Sequence, residues 1–180
     1  MYVYMGHMKF EHTQPYEDWF WEKNGLELRK AWVMNVDASL KQIQLDTGEH
    51  LNYDDLVIAT GSVPNRFGWK GQDLKGVQGL YSKQDLELLE ANTHPPKTRN
   101  NRVKKAVIVG GGLIGVELAE MLLSRNIEVT FLVRESRFWG NVLSDQESNM
   151  IEAHLNKHHV KLFKNAELDE ILGDQNGLVN

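Results

Sequence analysis

The feature that most restricts what this chain can fold into is a short apolar run ending in glycine: Ala106-Val107-Ile108-Val109, then Gly110-Gly111-Gly112-Leu113-Ile114-Gly115. The run reads as a strand buried on both faces. Residues 113–125 place Ile114, Leu118, Met121 and Leu122 at helical spacing, and residues 127–133 are β-branched and alternating. Strand, helix and strand in that order make a unit with parallel strands and a right-handed crossover.

Each glycine has its own reason in such a unit. Gly110 permits the tight turn, Gly112 lets the backbone approach a pyrophosphate without a Cβ in the way, and Gly115 lets the helix pack closely on the strand. The helix N-terminus then faces the ligand with unpaired N–H groups and the positive end of its dipole. G-x-G-x-x-G alone is a weak signal. Here it follows a buried strand, opens an amphipathic helix and precedes a second strand that ends about 20 residues on, which together make the dinucleotide fingerprint. The competing reading is a tight strand-to-helix turn that binds no nucleotide.

Which nucleotide is favoured depends on the end of that second strand, Phe131-Leu132-Val133-Arg134-Glu135. A carboxylate there accepts hydrogen bonds from ribose hydroxyls and selects NAD, whereas an arginine pairs with the 2′-phosphate of NADP. Arg134 and Glu135 are adjacent, so in an extended chain they point to opposite sides and only one can face the ribose. The sequence leaves the choice open, with a pair of solvated charges as the third reading.

The rest of the chain is organised around this unit. Ser144-Asp145-Gln146-Glu147 is a capping box opening a helix that carries Met150, Ile151, His154 and Leu155, and residues 160–163 read as a third strand. Two prolines and several polar and cationic residues over 93–102 mark a linker or long loop. Ahead of it, residues 15–25 suggest a short helix, residues 26–36, 41–45 and 49–52 suggest strands, and Asp46-Thr47-Gly48 is a turn. Leu56-Val57-Ile58-Ala59 reads as a buried strand stopped by Thr60-Gly61-Ser62-Val63-Pro64, and Ser82 caps a helix through Leu88 and Leu89. The expected fold class is α/β, a Rossmann-like parallel sheet with helices, plus a small β-meander.

Composition removes several functions. With 20 Lys+Arg against 25 Asp+Glu the net charge is −5, so no basic field is present to hold nucleic acid. No stretch approaches the ~20 apolar residues of a membrane-spanning helix, and the first residues lack a signal-peptide pattern, so a cytoplasmic location is expected. The absence of cysteine excludes disulfides, thiolate metal sites and cysteine redox chemistry within these 180 residues.

Two segments taken together carry a family resemblance. Asn52-Tyr53-Asp54-Asp55-Leu56-Val57-Ile58-Ala59-Thr60-Gly61-Ser62-Val63-Pro64, followed by Val107-Ile108-Val109-Gly110-Gly111-Gly112-Leu113-Ile114-Gly115-Val116-Glu117, resembles the pyridine nucleotide-disulfide oxidoreductase family of FAD-dependent enzymes over roughly residues 24 to 165. The resemblance implies that Ala59, Thr60 and Gly61 touch the flavin nucleotide, mainly through backbone groups. It implies that Gly110, Gly111, Gly112, Leu113, Ile114 and Gly115 hold the diphosphate of NAD(P)H, with Glu117 near the nicotinamide side. A glutamate so near a helix start is equally accounted for by the dipole. The implied chemistry is hydride transfer from nicotinamide to flavin, with FAD and NAD(P)H as cofactors, an electron acceptor that the sequence does not name, and a homodimer for the parent protein. No side chain is singled out as a catalytic acid or base.

Three departures qualify the match. No second glycine-rich fingerprint precedes Ala106, the family's closing flavin segment and dimerisation domain are absent, and there is no redox cysteine pair. The expectation is an internal fragment: residues 1–64 as part of an FAD domain with its meander, residues 65–180 as an incomplete NAD(P) domain, inactive on its own. The alternative is a non-catalytic NAD(P)-binding or regulatory module.

Other constellations are weaker. His154, His158 and His159 offer two imidazoles one turn apart without a third ligand of matching spacing, so no metal is assigned. Tyr16, Trp19 and Phe20 form an aromatic helix face, read as core packing in preference to a membrane- or quinone-facing surface. Asp54 and Asp55 point apart on a strand and make no acid–base pair. Met5-Gly6-His7-Met8 is treated as native sequence. The purified 180-residue chain is expected to be colourless; a yellow preparation with stoichiometric flavin absorbance contradicts the fragment reading.

Overall fold

The computed structural model describes residues 1–94 and 103–179, so all but the first two residues of the linker expected over 93–102 lie outside the described residues. The chain divides into two compact units, Phe10–Ser62 and the combination of Met1–Lys9 with Val63–Asn180.

In the Phe10–Ser62 unit, helix α1 (Trp19–Lys23) precedes strands β1 (Val33–Asp37), β2 (Gln42–Leu45) and β3 (His50–Asn52), paired antiparallel in the order β1-β2-β3. The turn at Asp46-Thr47-Gly48 forms as expected, with Gly48 at φ +83° and its N–H donating to the Leu45 carbonyl at 3.0 Å. The first strand starts at Val33, not at residue 26. Val33 pairs with Leu45, the last residue of β2, and among the described residues no strand pairs with the chain before it.

Two further expectations fail here. Leu56-Val57-Ile58-Ala59 is neither a strand nor buried: Val57 is 85% and Ile58 73% exposed. No described strand pairs with the segment, and an extended run without a neighbour has nowhere to place its backbone hydrogen bonds except in water. The aromatic face of α1 is not core packing either, because the helix buries none of its residues and Trp19 is 59% exposed. A helix of five residues is too short to cover a core, and its rings pack on each other, Tyr16 stacking on Phe20 at 4.1 Å.

In the other unit, α2 (Lys83–Thr93) leads to β4 (Lys105–Val109), α3 (Leu113–Ser124), β5 (Glu128–Val133), α4 (Asp145–Lys157) and β6 (Lys161–Lys164). The strands are parallel in the order β4-β5-β6, in register from Lys105↔Glu128 and from Thr130↔Lys161. The α/β class with a parallel sheet and a small antiparallel meander is therefore present. Ser82 and Ser144 both close full capping boxes. The carboxyls of Asp85 and Glu147 are held below the usual carboxylate range chiefly by the backbone N–H of the capping serine.

The core gathers Phe131, Phe138, Met121, Ile127, Val129 and Val133, with Phe131 and Phe138 edge to face at 5.1 Å. β4 is buried on one face only: Ile108 is buried, while Val107 is 61% exposed. α3 covers the Ile108 side through Gly115, and alternation turns Val107 and Val109 away from it. Ile114 is exposed as well, because α3 buries the face that carries Gly115, Ala119, Met121 and Leu122.

The first nine residues are tied to α2 and α3 by one cation. Arg125 lies 3.5 Å over the Tyr4 ring and donates to both Glu90 carboxylate oxygens at 2.8 and 2.7 Å, to the Tyr4 carbonyl at 2.8 Å and to Thr93 Oγ1 at 2.9 Å. The Tyr4 hydroxyl donates to Thr93 Oγ1 at 2.7 Å, and burial pushes its pKa up. Arg125→Met strips Glu90 of its charged partner and should lower unfolding stability by about 1–3 kcal/mol. Urea denaturation checks this, and an unchanged midpoint and slope would show the network to be energetically idle.

Candidate functional site

The site is built from the end of β4 upward. Gly110 continues the parallel ladder one residue past the strand, its N–H donating to the Leu132 carbonyl at 2.9 Å, and then turns at φ +107°, a conformation closed to most L-residues. Gly111 sits on the inner side of the turn, where a Cβ would lie 2.9 Å from Val133 Cγ2 and 3.1 Å from the Phe138 ring. Gly112 faces the other way. Its backbone is extended (φ −102°, ψ −173°), and a Cβ there would meet nothing within 4 Å.

Helix α3 starts immediately after, with no side chain capping it. The N–H groups of its first turn, at Leu113, Ile114 and Gly115, have no acceptor within the helix, and the first helical bond is Val116 N–H to the Gly112 carbonyl at 3.2 Å. Leu113 and Ile114 are exposed, so this face is open. Gly115 closes the unit, because a Cβ would stand 2.8 Å from the Gly110 carbonyl oxygen and 3.0 Å from Phe131. The turn thus presents unpaired donors and the positive end of a helix dipole at a backbone surface free of side chains, an arrangement suited to a diphosphate.

The structure brings Arg134 and Glu135 beside this turn, since they follow Val133 at the end of β5, next to the Leu132 that receives Gly110. They do not point apart. Both lie beyond the strand, and Arg134 Nε donates to Glu135 Oε1 at 3.0 Å. That bond is the main reason the Glu135 carboxyl is held low and the Arg134 guanidinium high. Glu117 is half-buried, one turn along α3 from Leu113. Ala59, Thr60 and Gly61 are exposed and belong to the other compact unit, with Gly61 at φ +73°. Phe138, whose ring seats Gly111, went unread in the sequence; the signal was an aromatic residue soon after a strand end facing the glycines.

The rings of His154 on α4 and of His158 at its C-cap are 4.5 Å apart, and among the described residues no group of three or more His, Asp or Glu side chains could hold a metal ion. Nor, among the described residues, is any helix long and apolar enough to cross a membrane.

A glycine turn of this form between parallel strands defines a dinucleotide-binding α/β protein. The sequence model of the family described as "Pyridine nucleotide-disulphide oxidoreductase" matches residues 8–180, and the chain belongs to that family. It is similar to the NAD(P)H nitrite reductase of Bacillus subtilis, 30% identical over 159 residues that make up 87% of this chain and 19% of that protein. It is also similar to the rubredoxin-NAD(+) reductase of Pseudomonas putida, 29% identical over 164 residues, 89% of this chain and 40% of that protein. In fold it matches the reductase of a covalent putidaredoxin reductase–putidaredoxin complex, with a TM-score of 0.83 at 19% identity over 99% of this chain and 42% of that one. The chain thus spans well under half the length of these relatives.

An added Cβ distinguishes the glycines, meeting packed atoms at Gly115 and open space at Gly112. Gly115→Ala forces backbone and Phe131 apart and should cost roughly 1–3 kcal/mol of stability. Gly112→Ala should leave the denaturation curve unchanged within about 0.5 kcal/mol while weakening nucleotide binding roughly tenfold or more, the factor that 1.4 kcal/mol carries. Equal effects of the two substitutions on both measurements would contradict the division of roles.

Proposed function

We propose that this chain is the part of an FAD-dependent NAD(P)H oxidoreductase that receives the nicotinamide nucleotide. The observation that carries the reading is the outward-facing backbone at Gly112 beside the uncapped first turn of α3. Gly110 and Gly111 shape the turn, the amides of Gly112, Leu113 and Ile114 hold the diphosphate, and Gly115 keeps the helix close enough to aim them. Glu117 stands near the nicotinamide side, and Arg134 and Glu135 face the adenosine ribose. Ala59, Thr60 and Gly61 would offer exposed backbone to a flavin nucleotide. When both groups are bound, the nicotinamide supplies a hydride that the flavin accepts; the protein's part is position and electrostatics.

The functional division is into a flavin-side portion, residues 1–64, and a nucleotide-side portion, residues 65–180. An electron acceptor and a homodimeric parent belong to the same reading, as does a cytoplasmic setting, where reduced nicotinamide nucleotides are supplied. The non-catalytic alternative has no observation on its side. Titration of the 15N-labelled chain with NADPH and with NADH should give saturable amide shifts centred on residues 110–115. An unchanged spectrum at millimolar nucleotide would overturn the reading.

A further inference from the structure

The ion pair at the end of β5 decides between the two nucleotides. Val133, the last residue of the strand, is apolar and buried against Gly111, so the strand itself ends without a carboxylate. The carboxylate that follows, Glu135, is already engaged. Its oxygen accepts from Arg134 Nε at 3.0 Å, and its backbone carbonyl is fixed by the N–H of Asn165 at 3.1 Å. The guanidinium is differently placed. Only Nε is used, the two terminal nitrogens carry no hydrogen bond among the described residues, and the side chain is 74% exposed. The neighbouring cation is spent, since Arg137 pairs with Asp145 and donates to the Gly140 carbonyl at 2.9 Å.

We propose that Arg134, oriented by Glu135, makes this chain prefer a dinucleotide carrying a 2′-phosphate, NADP(H), over NAD(H); the proposal rests on the reading of the glycine turn given above. Glu135 takes the inner edge of the guanidinium and leaves the paired terminal N–H groups directed outward, the fork that matches two oxygens of a phosphate. A ribose diol gains less at this place than beside an unpaired carboxylate, because Glu135 already receives Arg134 on Oε1. Glu135 is here a positioning residue, and its negative charge, with that of Glu167 also acting on Arg134, moderates the preference.

Calorimetric titration of the 180-residue chain with NADP+ and NAD+ tests this. NADP+ should bind about tenfold more tightly or better, the scale of a charge-assisted bidentate contact, and the advantage should shrink as salt is raised. Arg134→Ala should abolish the preference by weakening NADP+ far more than NAD+, and Arg134→Lys should retain part of it. Glu135→Gln keeps an acceptor for Nε and removes the charge, so NADP+ should tighten a few-fold relative to NAD+. Binding of both nucleotides with no preference, or an Arg134→Ala effect equal on the two, overturns this proposal alone. Binding of neither overturns the glycine-turn reading and the proposal with it.

Discussion

Everything at the glycine turn depends on how closely α3 lies against β4. The helix can approach because position 115 has no side chain, and the approach is tight enough that a single carbon there would meet the Gly110 carbonyl at 2.8 Å. That carbonyl is in turn fixed, because the Gly110 N–H is held by Leu132 on the neighbouring strand. The parallel pairing of β4 with β5 therefore sets where the helix begins, and the helix start sets where the unpaired amides point. Moving any one of the three elements by an ångström would disperse the donors.

Burial on one side of the turn and openness on the other follow from the same packing. Val133 and Phe138 fill the space behind Gly111, so that side of the turn can only be wall. The opposite side has nothing near Gly112, and the exposed Leu113 and Ile114 flank it without covering it. Electrostatics adds direction to this shape: an uncapped helix start supplies partial positive charge, and one guanidinium stands at the end of the adjacent strand.

Most of this unit was legible in the sequence because its signals are local. The run at 106–109, the spaced glycines, the alternation over 127–133 and the two capping serines each act within a few residues, and the structure forms the strands, turn and caps where they were read, with the first strand buried on one face instead of two. What was misread depends on neighbours that local pattern does not report. Leu56-Val57-Ile58 has the composition of a buried strand, yet strand character needs a partner, and periodicity says nothing about whether one is present. Val107 looked buried for the same reason. The Arg134–Glu135 bond was missed because the opposite-sides rule holds only within an extended strand, and the strand stops at Val133. The clamp of Arg125 on Tyr4, Glu90 and Thr93 joins residues too far apart for any spacing rule.

That clamp has a consequence for the order in which the molecule assembles. The βαβ unit closes through residues near one another along the chain, whereas the bond from Arg125 to the Tyr4 carbonyl spans 121 positions. Loop-closure entropy grows with such separation, and contacts that distant come together only after local structure has removed most of the intervening freedom. The first nine residues accordingly carry a contact of high loop-closure cost, joined to a parallel sheet whose own contacts are local.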